Sequence, residues 1–269
     1  MRPEITADHE YSTPESTPHM FLDRLTFNSR FVFTGLFLKA VFKARSEARK
    51  GLYDTRHWVD SSHEILTDVE RCGGRIHITG LDNIRNSEGP VLFLSNHMST
   101  LETMIFPGII QPLKDVTFVV KDALVNHWAF KDVMRSRNPI VLSRSNPRED
   151  FRVVMEEGQE RLKNNISIII FPQSTRRVEF RPAEFNSLGT KLAAKAGVQV
   201  IPVAIKTDFW GFGKFSSYLG PIDRNKKVHI AFGEPMSVTG SGKEEHQRIV
   251  EFIQAHLESW KDPTLNPSP

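Results

Sequence analysis

The chain has 269 residues, 39% hydrophobic and 25% charged, which is the balance of a folded protein with room for one ordinary domain plus accessories. Its 35 basic and 32 acidic residues leave a net charge of only +3, which excludes a nucleic-acid-sized basic field and leaves local patches suited to small anions or lipid headgroups. Cys72 is the single cysteine, so a disulfide framework and a cysteine-rich zinc site are excluded, and a reducing cytoplasmic setting is the default.

Residues 1–20 mix Pro, Thr, Ser and acids, lack the basic start and apolar stretch of a secretory signal, and are expected to form a disordered leader. From Phe21 to Ala44 the residues Leu22, Leu25, Val32, Phe33, Leu36, Phe37, Ala40 and Val41 recur at helical spacing, which predicts a helix. It opens an apolar to amphipathic helical segment over 21–70. Within it, "FVFTGLFLKAVF" (Phe31 to Phe42) is apolar nearly all round but shorter than the roughly 20 residues a membrane span needs. Lys43, Arg45, Arg49 and Lys50 follow. Such a helix either lies in a membrane interface, with its cations at anionic headgroups, or packs on the domain; the residues leave both open. The weighting of aromatics toward 19 Phe points to an apolar surface or slot.

From Arg75 onward short β-rich runs alternate with helical patterns. "RIHIT", "VLFLS", "VTFVV", "PIVL", "SIIIF", "VQVIPVAI" and "KVHIAF" are predicted strands. A helix starts at Asn146-Pro147, a cap followed by proline in the first turn, and carries Phe151, Val154, Met155 and Leu162 on one face. Another, with Ile249, Ile253, His256 and Trp260 in register, ends the fold. Several strands are too apolar to have a solvated face. The expected class is therefore α/β, a mixed and largely parallel sheet sandwiched by helices over 71–262, preceded by the N-terminal helices and followed by a tail at 263–269.

His97 follows a buried-looking strand and precedes a helix start, where ligands gather in α/β sheets. Glu102, five residues on, would lie about 140° away on a regular helix, so His97 must precede the helix with Glu102 in its first turn. There a carboxylate can fix the imidazole tautomer and leave the other ring nitrogen free to take a proton. Ser99-Thr100-Leu101-Glu102 is equally an S-x-x-E capping box, in which the glutamate satisfies the Ser99 N–H, and one carboxylate can do either job. A second stretch, "IIIFPQSTRRVEFRP", runs from an apolar strand into a basic turn with Arg176, Arg177 and Arg181. Arg144 closes "PIVLSR" and Lys121 follows "VTFVV". Taken singly these are ordinary surface charges; several lying just after strands suit a phosphate, which the arginine fork can bond through two oxygens.

Together these residues resemble the glycerolipid acyltransferase family, whose bacterial members include 1-acyl-glycerol-3-phosphate acyltransferases. The resemblance covers roughly Gly74 to Pro235. The first family motif, N-H-x-x-x-x-D, is matched by Asn96, His97 and Glu102, and the third, F-P-E-G-T-R, by Phe171, Pro172, Thr175 and Arg176. "RIHITGLDNI" before the first motif, Arg144 closing the second and Pro202 in "VIPVAI" as the fourth fall in the family's order. Glu102 replaces the usual Asp, and Gln173 and Ser174 replace the usual Glu and Gly, which bears on the acceptor's identity more than on the reaction type.

The resemblance implies an acyltransferase moving a fatty acyl group from acyl-CoA or acyl-ACP, as co-substrate, to a hydroxyl of a lysophospholipid, with His97 as general base and Glu102 orienting it. Arg176, Arg144 and Lys121, with Thr175, Ser174, Gln173 and Asn96, are the expected substrate-binding residues. No cofactor, metal or nucleic acid is expected, and the protein is expected in the cytoplasm, associated peripherally with the inner face of a membrane. A serine hydrolase lacks its G-x-S-x-G elbow, and no H-x-x-x-H pair supports a metal site. The non-enzymatic alternative is a lipid-binding protein of the same fold whose altered third motif has removed catalysis.

Overall fold

A computed structural model describes residues 5–6, 8–173, 175–213 and 218–261. In chain order its elements are β1 (Tyr11–Ser12), α1 (Phe21–Leu25), α2 (Arg30–Arg49), α3 (Thr55–Arg71), β2 (Ile76–Thr79), α4 (Leu81–Asn86) and β3 (Leu92–Ser95). There follow α5 (Leu101–Ile110), β4 (Val116–Lys121), α6 (Asp122–Asn126), α7 (Lys131–Ser136), β5 (Ile140–Leu142) and α8 (Pro147–Lys163). The last are β6 (Ser167–Ile170), α9 (Leu188–Ala196), β7 (Gln199–Lys206), β8 (Val228–Phe232), β9 (Met236–Ser237) and α10 (Lys243–Ser259).

All seven predicted strands form. They lie in one sheet of order β1-β2-β8-β7-β3-β6-β4-β5, with β9 pairing β7. The central pairs β3–β6, β3–β7, β4–β6 and β4–β5 are parallel, while β7–β8, β7–β9 and β1–β2 are antiparallel. Alternate residues feed two separate cores. Phe93, Ile169 and Ile201 join Phe33, Phe37, Ile65 and Phe106 from α2, α3 and α5, whereas Leu92, Leu94, Ile168 and Val200 join Val154, Leu192 and Ile249 from α8, α9 and α10. Helices cover both faces, which is why the strand sequences are apolar throughout.

The leader departs from expectation, because part of it has a partner. Tyr11 and Ser12 pair with Ile78 and His77 at the edge of β2, and the Tyr11 and Thr13 hydroxyls both donate to Glu70, each at 2.7 Å. An open strand edge offers unpaired backbone groups, and the leader satisfies them. Ile5 is buried as well. Residues 1–4, 7 and 262–269, which include most of the leader's start and the tail, lie outside the described residues.

The predicted helix over 21–44 is in fact two. Phe27 and Asn28 take left-handed backbone angles, φ 55° and 58°, and separate α1 from α2. α2 belongs to the sheet's own core, since Phe33 and Phe37 pack edge-on against Trp210 with ring centroids 5.1 and 4.7 Å apart. α1, the turn after it and the start of α2 leave Phe21, Leu22, Leu25, Phe27 and Phe31 exposed, so the packing alternative is realised by α2 while an apolar surface remains beside it. Among the described residues no helix is long and apolar enough to cross a membrane.

α3 lies against α5, where Pro107 interrupts the helical ladder. The Ser62 hydroxyl enters the gap, accepting from Gly108 N at 2.7 Å and donating to the Met104 carbonyl at 2.6 Å. α8 begins as predicted, its Asn146 side chain accepting from Arg148 N and Glu149 N.

Candidate active site

Four expected site residues follow the carboxyl ends of four adjacent parallel strands: His97 after β3, Lys121 ending β4, Arg144 after β5 and Arg176 after β6. That edge is where an α/β sheet opens to ligand, because the strands stop there and loops diverge. All four line one cavity of about 240 Å³. Its remaining wall is largely apolar, with Ala40, Val41 and Ala44 from α2, Trp58 and Ile65 from α3, and Phe118, Phe130, Val133 and Met134.

His97 is held from both sides. Its backbone N–H donates to Gln173 Oε1 at 2.9 Å, and its carbonyl accepts from Arg177 N at 2.8 Å. Its ring stacks on Phe171, centroids 4.2 Å apart and 20° from parallel. Nδ1 lies 2.9 Å from Glu102 Oε1. A carboxylate can only accept, so in the neutral imidazole Nδ1 carries the proton and Nε2 has the lone pair.

Glu102 is fully buried, and five donor atoms converge on it. Oε1 accepts from His97 Nδ1, Met98 N at 2.7 Å and Ser99 N at 2.8 Å, while Oε2 is 2.8 Å from Ser99 Oγ and accepts from Thr207 Oγ1 at 2.6 Å. The capping-box bond and the histidine bond therefore coexist on one carboxylate. Burial would raise its pKa, but the hydrogen bonds from His97 and Thr207 and the nearby imidazole outweigh burial and hold it below the ordinary glutamate range. It is ionised at neutral pH.

The cations gather as the strand ends predict. Arg144 takes a left-handed backbone, φ 59°, while Asp150 of α8 accepts from Ser143 N and Arg144 N at 3.0 and 2.9 Å. Arg176 donates to Thr100 Oγ1 and lies over the rings of Phe212 and Tyr218, 5.5 and 5.0 Å from their centroids. Desolvation and the charges of Arg144 and Arg176 lower the Lys121 pKa, which places three like charges around a common space. Arg177 and Arg181 turn away and pair with Glu184.

Two expected substrate contacts have other work. Asn96 is buried, and its amide donates to the Ile205 carbonyl and accepts from Ile205 N, both at 2.9 Å. It prolongs the β3–β7 ladder past Ser95 and does not line the cavity. Gln173 is buried too, its oxygen taken by the His97 N–H, so it shapes the loop and not the cavity wall. Thr175 does line the cavity; Ser174 lies outside the described residues. Sequence reasoning missed Thr207, whose signal is a hydroxyl just past Lys206, the charged residue that ends β7.

The family model described as Acyltransferase matches residues 75–206. The 1-acyl-sn-glycerol-3-phosphate acyltransferase of Pseudomonas aeruginosa is 30% identical over 194 residues, covering 72% of this chain and 70% of that protein. The chloroplastic 1-acyl-sn-glycerol-3-phosphate acyltransferase LPAT1 of Arabidopsis thaliana is 30% identical over 137 residues, 49% of this chain and 36% of that one. In fold, the chain is similar to the crystal structure of the 1-acyl-sn-glycerophosphate acyltransferase PlsC from Thermotoga maritima, with a TM-score of 0.63, 21% identity, and coverage of 93% of this chain and 95% of that one. By its sequence, and with a mixed, mostly parallel sheet like that of PlsC, the chain belongs to the acyltransferase family that includes the 1-acyl-sn-glycerol-3-phosphate acyltransferases.

Proposed function

We propose that the protein transfers a fatty acyl group from a thioester, acyl-CoA or acyl-ACP, to the free hydroxyl of a lysophospholipid of the lysophosphatidic acid type, in phospholipid synthesis or remodelling. The observation that carries this reading is one cavity holding a carboxylate-oriented histidine, three cations and a long apolar wall. His97 Nε2 takes the hydroxyl proton as the oxygen attacks the thioester carbonyl, and Glu102 stabilises the imidazolium that forms. The tetrahedral intermediate then collapses with cleavage of the C–S bond, and the imidazolium returns its proton to the departing thiolate. The products are an ester and a free thiol, with no covalent enzyme intermediate and no cofactor.

Arg176, Arg144 and Lys121 hold the acceptor's phosphate, which fixes its hydroxyl near His97. The apolar wall takes acyl chain. Exposed Phe21, Leu22, Leu25, Phe27 and Phe31, followed in the chain by Lys43, Arg45, Arg49 and Lys50, suit peripheral attachment to the inner, anionic face of a membrane where the lipid substrate resides.

The test is thiol release from acyl-CoA and acyl-ACP with a panel of lysolipids, for the native protein and His97→Ala. Acceptor-dependent release that disappears in the variant is expected. A native protein that binds lysolipid but releases no thiol with any pair would overturn the reading in favour of a lipid-binding protein. Replacement of Phe21, Phe27 and Phe31 by Ser is expected to reduce sedimentation with anionic vesicles, and undiminished sedimentation would remove the membrane assignment.

A further inference from the structure

Four of the five donor atoms on Glu102 come from His97, Met98 and Ser99, the same short loop that carries the base. If that loop shifts, those donors shift with the histidine and cannot by themselves fix where the carboxylate points. Among the described residues, the one donor from another element is the Thr207 hydroxyl, one residue beyond β7 and 2.6 Å from Oε2. Thr207 is itself tied down. It directly follows β7, which is paired with β3 on one side and β8 on the other, while its contacts to Met98 Sδ at 3.3 Å and Ser99 Oγ at 3.0 Å reach back to the histidine loop.

We propose that Thr207 is a positioning residue for the His97–Glu102 pair, anchoring the carboxylate to the sheet so that Oε1 stays aimed at Nδ1. This rests on the acyl-transfer reading above only for its kinetic consequence. Thr207 is fully buried and does not line the cavity, so it has no route to substrate and acts through Glu102. The terminal torsion of a glutamate is broad and roughly two-fold. With one oxygen on the histidine loop and the other on Thr207, that torsion is pinned at both ends. A side chain one methylene shorter, with its carboxylate drawn back by about 1.5 Å, would not span both partners at hydrogen-bonding distance. The glutamate at position 102 and the hydroxyl at position 207 thus form one device.

The experiment compares Thr207→Val, which keeps the shape and loses the hydroxyl, with Thr207→Ser, which keeps the hydroxyl. A hydrogen bond to a charged group predicts a fall in kcat of ~10–100-fold for the valine variant, with KM for donor and acceptor changed less than about twofold. The serine variant should recover to within about threefold of the native rate, since the hydroxyl is restored. In a Glu102→Asp background, adding Thr207→Val should cost less than about twofold, because the shorter carboxylate has no bond there to lose. A second readout needs no turnover: the downfield Nδ1–H proton resonance of His97, assigned by its loss in His97→Ala, should be present in the native and serine proteins and broadened away in the valine variant. If no thioester and lysolipid pair reacts, the acyl-transfer reading fails while this resonance still decides the role of Thr207. A valine variant with native kcat and an unchanged resonance overturns the proposal. So does an equal loss in serine and valine variants, or an undiminished loss in the Glu102→Asp background. Should Thr207→Val not fold, Thr207→Cys, a smaller side chain with only a weak donor, is held to the same outcomes.

Discussion

Among the described residues, two histidine–carboxylate pairs have a fully buried carboxylate, and on local geometry they look alike. His97 lies 2.9 Å from Glu102 and His19 lies 2.6 Å from Asp23; both carboxylates are 0% exposed, and the imidazoles are 16% and 20% exposed. The difference is in what else reaches the carboxylate. Arg224 Nη2 sits 2.9 Å from both oxygens of Asp23, and its other nitrogens donate to the carbonyls of Cys72 and Asn28. A guanidinium already neutralises that charge, and the cluster locks α1 to the domain. Among the described residues, Glu102 instead accepts hydrogen bonds from neutral donors besides its histidine, with the Arg176 charge nearby, so its carboxylate is not taken up by a bonded guanidinium and can stabilise an imidazolium. His97 lines the cavity and His19 does not. Proximity of a histidine to a buried carboxylate is thus insufficient for a catalytic pair; the carboxylate must be otherwise uncommitted and the histidine must face substrate.

The sharpest way to break this comparison is kinetic. His97→Ala should lower acyl transfer by ~10²–10⁴-fold, the span attributable to a positioned general base. His19→Ala should leave kcat unchanged in the same thiol-release assay, and a comparable loss would mean that the two pairs are not functionally distinct.

Next in size is the stability contrast. Arg224→Ala leaves Asp23 buried beside a histidine with its main cation gone, and should cost about 3–5 kcal/mol in urea unfolding. Replacing both members, Asp23→Asn with Arg224→Gln, should recover part of that loss, because no uncompensated charge then remains.

Arg176 tests the cations near Glu102. Arg176→Ala should raise KM for a phosphate-bearing acceptor by ~10–100-fold through loss of charge-assisted bonds, with a much smaller effect on a monoacylglycerol acceptor. Equal effects on both acceptors would show that Arg176 does not read phosphate.

The smallest expected effect concerns a third histidine, which has no carboxylate on it. His229 is buried, stacks on Trp260 with centroids 5.0 Å apart, and its Nδ1 has no hydrogen-bond partner among the described residues. Burial, and then the positive charges of His77, Lys206 and Lys227, push its pKa from 6.5 down to about 4. A base with a depressed folded-state pKa contributes stability that is present above pH 6.5 and lost as pH falls through about 4. His229→Phe should therefore narrow the drop in Tm between pH 7 and pH 4, as followed by circular dichroism, and an unchanged drop would assign the acid sensitivity elsewhere.

What the sequence alone determined is the part governed by local rules. Seven strands were legible because runs such as "SIIIF" and "VQVIPVAI" are too apolar to tolerate a solvated face, and α8 was legible because Asn146-Pro147 is a start signal read within one turn. The relation of His97 to Glu102 was legible as well, since five residues across a strand end and a helix start leave few geometries. The break at Phe27 and Asn28 was not, because nothing in their neighbours demands two left-handed residues there. Nor was the pairing of the leader, whose partner edge on β2 lies more than 60 residues away. Tertiary structure decided the rest. Thr207 reaches Glu102, Asn96 is turned inward to Ile205, Arg224 neutralises Asp23, and Lys121, Arg144 and Arg176 share one cavity with His97. These contacts depend on β3 lying between β6 and β7 and on the strand order that follows, an arrangement set by burying two apolar faces at once and not by any residue's neighbours along the chain.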